Sequence, residues 1–182
     1  MSNINICMKN LLPLLALAVL PACSSDHTLG ARKNTLTHKA YHYYGLEENK
    51  DRQLIKEIMG VDPVTTEWCA AFVNMVLLEN DLPQSSEYND YPLMARSFLF
   101  WGERVTGEPE QGDILIFERG NQGWQGHVAF YVSRTIKDGQ VYFNVLGGNQ
   151  NDKVSIESYP ANKLLDIRRL SLDAERKVNA VY

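Results

Sequence analysis

Glu67-Trp68-Cys69-Ala70-Ala71-Phe72-Val73-Asn74 decides how this chain is read. Thr65 and Thr66 stand ahead of it as good N-cap residues, and no Pro or Gly interrupts Glu67 to Glu79. The stretch therefore predicts a helix with a cysteine in its first turn. Trp68, Phe72, Met75 and Val76 recur at helical spacing, so that face is expected to be buried. With Thr66 as N-cap, Cys69 lies where backbone N–H groups are free and the helix dipole is positive. Such a site favours the thiolate and lowers a free-cysteine pKa of about 8.5 by about one unit or more. The competing reading is a buried, inert cysteine on an apolar helix.

The cysteine count sharpens the choice. Lys9-Asn10 is followed by an apolar run from Leu11 to Leu20, too short to span a bilayer and shaped like a signal-peptide core. Leu20-Pro21-Ala22-Cys23 resembles a bacterial lipobox, with Cys23 the lipidated residue. Pro21 and the single n-region charge depart from the usual pattern; a plain secretory signal cut near Ala22 is the alternative, and Met8 is a second possible start. Residues 1–22 are thus assigned to a lipoprotein signal peptide and 23–35 to a polar tether. Ser24 after the cysteine suggests, by resemblance to lipoprotein sorting, the periplasmic face of the outer membrane. Cys7 leaves with the signal and Cys23 takes lipid, so Cys69 is the one thiol left in residues 36–182. An unpaired thiol in an oxidising compartment points to a use.

Composition sets broad limits. The chain has 182 residues, 45% of them apolar, enough for one domain with a true core. A net charge of −4 argues against a nucleic-acid partner, which calls for a basic face.

After the tether, Thr37 to Tyr44 and Asp51 to Met59 read as helices closed by Gly45 and Gly60. His38 and His42 stand at i, i+4, but with no third ligand nearby they read as exposed helix histidines rather than a metal site. Met94 to Trp101 reads as a short helix supplying core and a groove wall, with Arg96 a structural or surface charge. From Pro109 the period changes to that of strands: 112–117, 126–132, 141–146, 154–159 and 166–170, with a hairpin at Lys137-Asp138-Gly139-Gln140. Helices first and hairpin-connected strands after predict an α+β domain, N-terminal helices packed on an antiparallel sheet.

Cys69 needs a base. His27 falls in the tether and His38 and His42 on an early helix, whereas His127 opens a core strand and can reach the end of a neighbouring helix. A third group should bond the far ring nitrogen and steady the imidazolium. Asn149, after Gly147-Gly148 at the end of the next strand, is the first choice; Gln150 and Asp152 are alternates. Cysteine, histidine and a polar residue on helix, strand and strand form an acyl-transfer arrangement.

Trp68-Cys69-Ala70-Ala71-Phe72-Val73, Pro109-Glu110-Gln111-Gly112-Asp113-Ile114, Gly126-His127-Val128-Ala129-Phe130-Tyr131-Val132 and Leu146-Gly147-Gly148-Asn149-Gln150, in this order, resemble the papain-like peptidoglycan hydrolases of the NlpC and CHAP superfamily. They are most similar to a small-domain branch ending in a Gly-Gly-Asn-Gln turn. The resemblance implies a papain-like fold and cleavage of an amide bond of peptidoglycan, as amidase or endopeptidase. It implies Cys69 as nucleophile, His127 as base and then acid, Asn149 as orienting residue, and neither metal nor organic cofactor. Ser133 stands where such proteins often carry glycine, a departure expected to matter only to a turn, and no glutamine precedes Cys69 as an oxyanion donor. The Cys69 N–H is one expected donor. Trp68, Trp124 and Tyr131 are candidates to line the groove. The expected partners are peptidoglycan and, through the lipid, a membrane; the protein is expected to be a monomer. The alternative is a non-catalytic envelope lipoprotein that binds wall or a protein through the same groove.

Overall fold

A computed structural model describes residues 36–171; Cys23, the expected signal peptide and the tether lie outside them. Three helices come first: α1 (residues 36–41), α2 (Arg52–Met59) and α3 (Cys69–Leu78). Six strands follow: β1 (Glu103–Arg104), β2 (Ile114–Glu118), β3 (Gly126–Lys137), β4 (Gln140–Gly147), β5 (Ser155–Pro160) and β6 (Leu164–Arg169). They form one antiparallel sheet in the order β1-β6-β2-β3-β4-β5. The fold is α+β, as the change of hydrophobic period predicts.

Strand alternation divides the core. Ile114, Ile116, Val128 and Phe130 pack with Phe72, Val73 and Val76 of α3. Leu115, Phe117, Ala129, Phe143, Val145 and Ile167 make a second cluster. Each fully buried aromatic or aliphatic side chain adds about 1.5–3 kcal/mol. α3 is buried along nearly its whole length, which explains a sequence apolar all round rather than on one stripe.

The helix starts differ from expectation. Trp68, not Thr66, is the N-cap of α3, and Cys69 is its first residue. The Trp68 ring is fully buried and its indole N–H donates to Glu48 at 3.0 Å, so Trp68 is core. The Met94 to Trp101 segment holds a short helix, as expected, of 3-10 type over Ala95–Phe100. β3 runs on through Ser133 to Lys137, so Ser133 lies at a β-bulge inside the strand and not in a turn; its hydroxyl accepts from Asn144 at 2.9 Å. The tight hairpin is Asp138-Gly139, both with positive φ, as a two-residue turn requires.

Two buried polar clusters fix what surrounds the cysteine. Asp113 accepts two bonds from Arg169, at 2.9 and 2.7 Å, and one from the Glu110 N–H at 2.7 Å. This ties the start of β2 to the end of β6 and accounts for the Gly-Asp motif structurally. Asn74 on α3 binds the Ser85 N–H and hydroxyl and the Pro92 carbonyl, at 2.8 to 3.0 Å. The 84–92 loop is thereby pinned against α3 and delivers Leu93 and Met94 beside Cys69.

Candidate active site

Cys69 occupies the first position of α3, where its own N–H has no acceptor within the helix. The thiol lies against the Val128 N–H, one residue beyond His127 on β3. It also forms part of the floor of a cleft of about 370 Å³. One wall carries Leu93, Met94 and Ala95; the other, from the β2–β3 loop, carries Arg119, Trp124 and Gln125. Arg96 donates to the Gln125 carbonyl at 2.8 Å and ties the two walls together, a structural role as its sequence context suggests.

His127 is fully buried. Its ring stacks on Tyr159 at 4.8 Å, and Tyr159 stacks on Phe117 at 4.9 Å, so packing holds the imidazole plane. Nε2 is 2.9 Å from Gln150 Oε1. The Gln150 amide nitrogen donates to the carbonyls of Ser155, at 2.5 Å, and Val145, at 3.4 Å. The amide orientation is therefore set, its oxygen must accept, and Nε2 must carry the proton. Nδ1 is left as a buried lone pair without a hydrogen-bond partner. A ring in this state can take up a proton at Nδ1.

Gln150, not Asn149, is thus the side chain that bonds the His127 ring. The Asn149 amide donates instead to Glu67 Oε2 at 2.6 Å. The cause is backbone. Asn149, Asn151 and Asp152 all have positive φ, so the chain leaves β4 through left-handed turns and strand alternation no longer says which side chain points inward. Gly147 and Gly148 let this turn approach the helix. A Cβ on Gly148 would lie 2.7 Å from Phe72 Cβ and from the Trp68 ring; one on Gly147 would lie 2.7 Å from Ala129 Cβ. Asp152 faces a separate polar pocket with Glu48, Thr65 and Asn149.

The electrostatics also correct the sequence argument. Burial pushes the Cys69 thiol up; the Val128 N–H, the Arg119 charge and the Ala70 N–H pull it down, and Glu67 adds to the rise. Burial likewise lowers His127 to about 4, against the Gln150 hydrogen bond, which favours the protonated ring. At neutral pH the resting pair is a thiol and a neutral imidazole. The helix terminus alone predicted a thiolate, but desolvation exceeds it.

Of the aromatic residues expected in the groove, Trp124 lines it and is 61% exposed. Trp68 is core, and Tyr131 packs edge-on to Phe143 in the second cluster, away from the cleft. Glu67, Arg119 and Tyr159 also surround the cysteine and the histidine, although no motif in the sequence assigns them to the site. Only Glu67, two residues before the cysteine, carried a local signal. His38 and His42 are exposed, edge to face at 4.5 Å. Among the described residues no cluster of three potential metal ligands occurs.

No curated protein and no solved structure matches this chain. The family model of the CHAP domain matches residues 61–149. That segment carries Cys69 and His127 and ends one residue before Gln150.

Proposed function

We propose that this protein is a peptidoglycan hydrolase that cleaves a wall amide bond with Cys69 as nucleophile, His127 as base and then acid, and Gln150 as orienting residue. CHAP domains are in general hydrolases of peptidoglycan, of amidase or peptidase type. The observation that supports the thiol mechanism is the His127 tautomer: Nε2–H is held by Gln150 and Nδ1 is buried without a partner, one residue along β3 from the Val128 N–H against which the Cys69 thiol lies.

The substrate carbonyl sits over Cys69. Nδ1 takes the thiol proton as sulfur attacks the carbonyl carbon, so no standing thiolate is required. The Cys69 N–H faces the developing oxyanion. The imidazolium, steadied by Gln150, gives its proton to the leaving amine. Water, deprotonated by the same Nδ1, then releases the acyl group and restores the thiol.

The binding-only reading has one observation in its favour: Cys69 is 3% exposed and its thiol is pushed up by burial. Digestion of purified peptidoglycan by the full chain, with mass spectrometry of the products, separates the two. New fragments that vanish with Cys69→Ala support the hydrolase, and their masses identify the bond. No fragments from folded protein whose Cys69 resists iodoacetamide supports binding alone.

Lipid anchoring at Cys23 belongs to the same proposal and rests on Leu20-Pro21-Ala22-Cys23. Labelled palmitate retained by the wild type and lost with Cys23→Ser tests it.

A further inference from the structure

Arg119 follows directly on β2 and faces the cleft that holds Cys69. Among the described residues its guanidinium makes a single polar contact, a loose ion pair to Glu67 at 3.7 Å, beyond hydrogen-bond length. The Glu67 oxygen in that pair is already taken at 2.6 Å by the Asn149 amide. Asn149 itself is buried and anchored in the turn after β4. Glu67 is thereby held short of closing on Arg119, and an exposed pair of this length is weakly bound. Arg119 keeps a planar fork of N–H donors open to the cleft, 46% exposed.

Its place relative to the chemistry is also defined. The Arg119 charge is felt at Cys69, at His127 and at Tyr159, so the guanidinium lies close to the reacting pair. The opposite wall, Leu93 and Met94, is apolar, as is Trp124 beside it. A ligand for this cleft therefore has an aliphatic or backbone stretch against the apolar wall and an anion at the arginine. A planar fork matches a carboxylate.

We propose that Arg119 is a specificity-determining residue, and that the cleft selects peptide amides with a free carboxylate close to the scissile bond. This rests on the hydrolase reading and names its substrate class. On binding, the substrate carboxylate takes the guanidinium from Glu67, which keeps its bond to Asn149. Peptidoglycan stem peptides are rich in such carboxylates, and chemical amidation removes the charge while leaving the amide bonds in place.

The test compares native peptidoglycan with the same material after its carboxylates have been converted to carboxamides by carbodiimide and ammonia. Release of soluble fragments is followed against wall concentration for the full-length wild type, Arg119→Gln and Arg119→Lys. The wild type is expected to prefer native wall by about tenfold or more in kcat/KM, chiefly through KM. Arg119→Gln should bring the two substrates to nearly equal kcat/KM, and Arg119→Lys should retain part of the preference. Equal digestion of both walls by the wild type, or a preference unchanged in Arg119→Gln, overturns the inference alone. Failure of the wild type to digest native wall overturns the hydrolase reading and this inference with it.

Discussion

Gln150 Oε1 lies 2.9 Å from His127 Nε2, while the nitrogen of the same amide is bonded to the carbonyls of Ser155 and Val145. Because the amide cannot turn over without losing these bonds, the imidazole tautomer is set by the backbone of β4 and β5. Gln150→Ala should lower kcat by about 10²-fold or more with the protein still folded, since the base loses both orientation and support for its charge. Asn149→Ala should lower kcat by less than about tenfold and cost about 1–2 kcal/mol of stability, because Ala is poorly suited to its left-handed backbone. Steady-state kinetics with denaturant unfolding of both variants separates the roles; equal losses of kcat would return Asn149 to the catalytic set.

Glu67 and Arg119 act on the thiol with opposite sign. Thiol alkylation as a function of pH should show its midpoint above the ordinary cysteine value in the wild type, because burial is the largest influence. Arg119→Gln should move the midpoint further up by removing a stabilising charge. Glu67→Gln should move it down. Shifts of the same sign in both variants would contradict the geometry.

His127 makes the fold acid-sensitive. Its folded value of about 4 lies below the free value of 6.5, so between these pH values the unfolded chain binds the proton and the folded chain does not. The stability associated with a neutral His127 is complete above pH 6.5 and is lost as the pH falls through about 4. The loss amounts to about 3 kcal/mol at most. Urea unfolding from pH 7 to 4 should show this decline, and His127→Asn should flatten it.

Gly148 is required by packing. A methyl group there meets Phe72 Cβ and the Trp68 ring at 2.7 Å, one within the helix that begins at Cys69 and the other its N-cap. Gly148→Ala should destabilise the protein by about 1–3 kcal/mol through overpacking. A thermal melt at fixed pH checks this, and an unchanged Tm would mean that the turn and helix can move apart freely.

Much of the molecule is written locally in the chain. The apolar run behind Cys69, the glycine that closes α2, the switch to strand period after Pro109 and the Asp138-Gly139 hairpin each depend on residues a few positions apart. Local patterning of this kind specifies element type and order, and with them the α+β class. It also singles out Cys69 and His127, since one thiol and one strand histidine are left once residues 1–35 are set aside as an expected leader and tether.

What the tertiary structure alone decided is non-local. Left-handed backbone after β4 turns Gln150, not Asn149, toward the imidazole, because alternation is lost once φ becomes positive. The thiol is raised rather than lowered because desolvation sums over the packing of α3 against the sheet, which no window around Cys69 contains. Arg119 reaches the site across the β2–β3 loop, and Trp68 and Tyr131 turn away from it, for the same reason: which face of an element meets the cleft is set by what the element packs against.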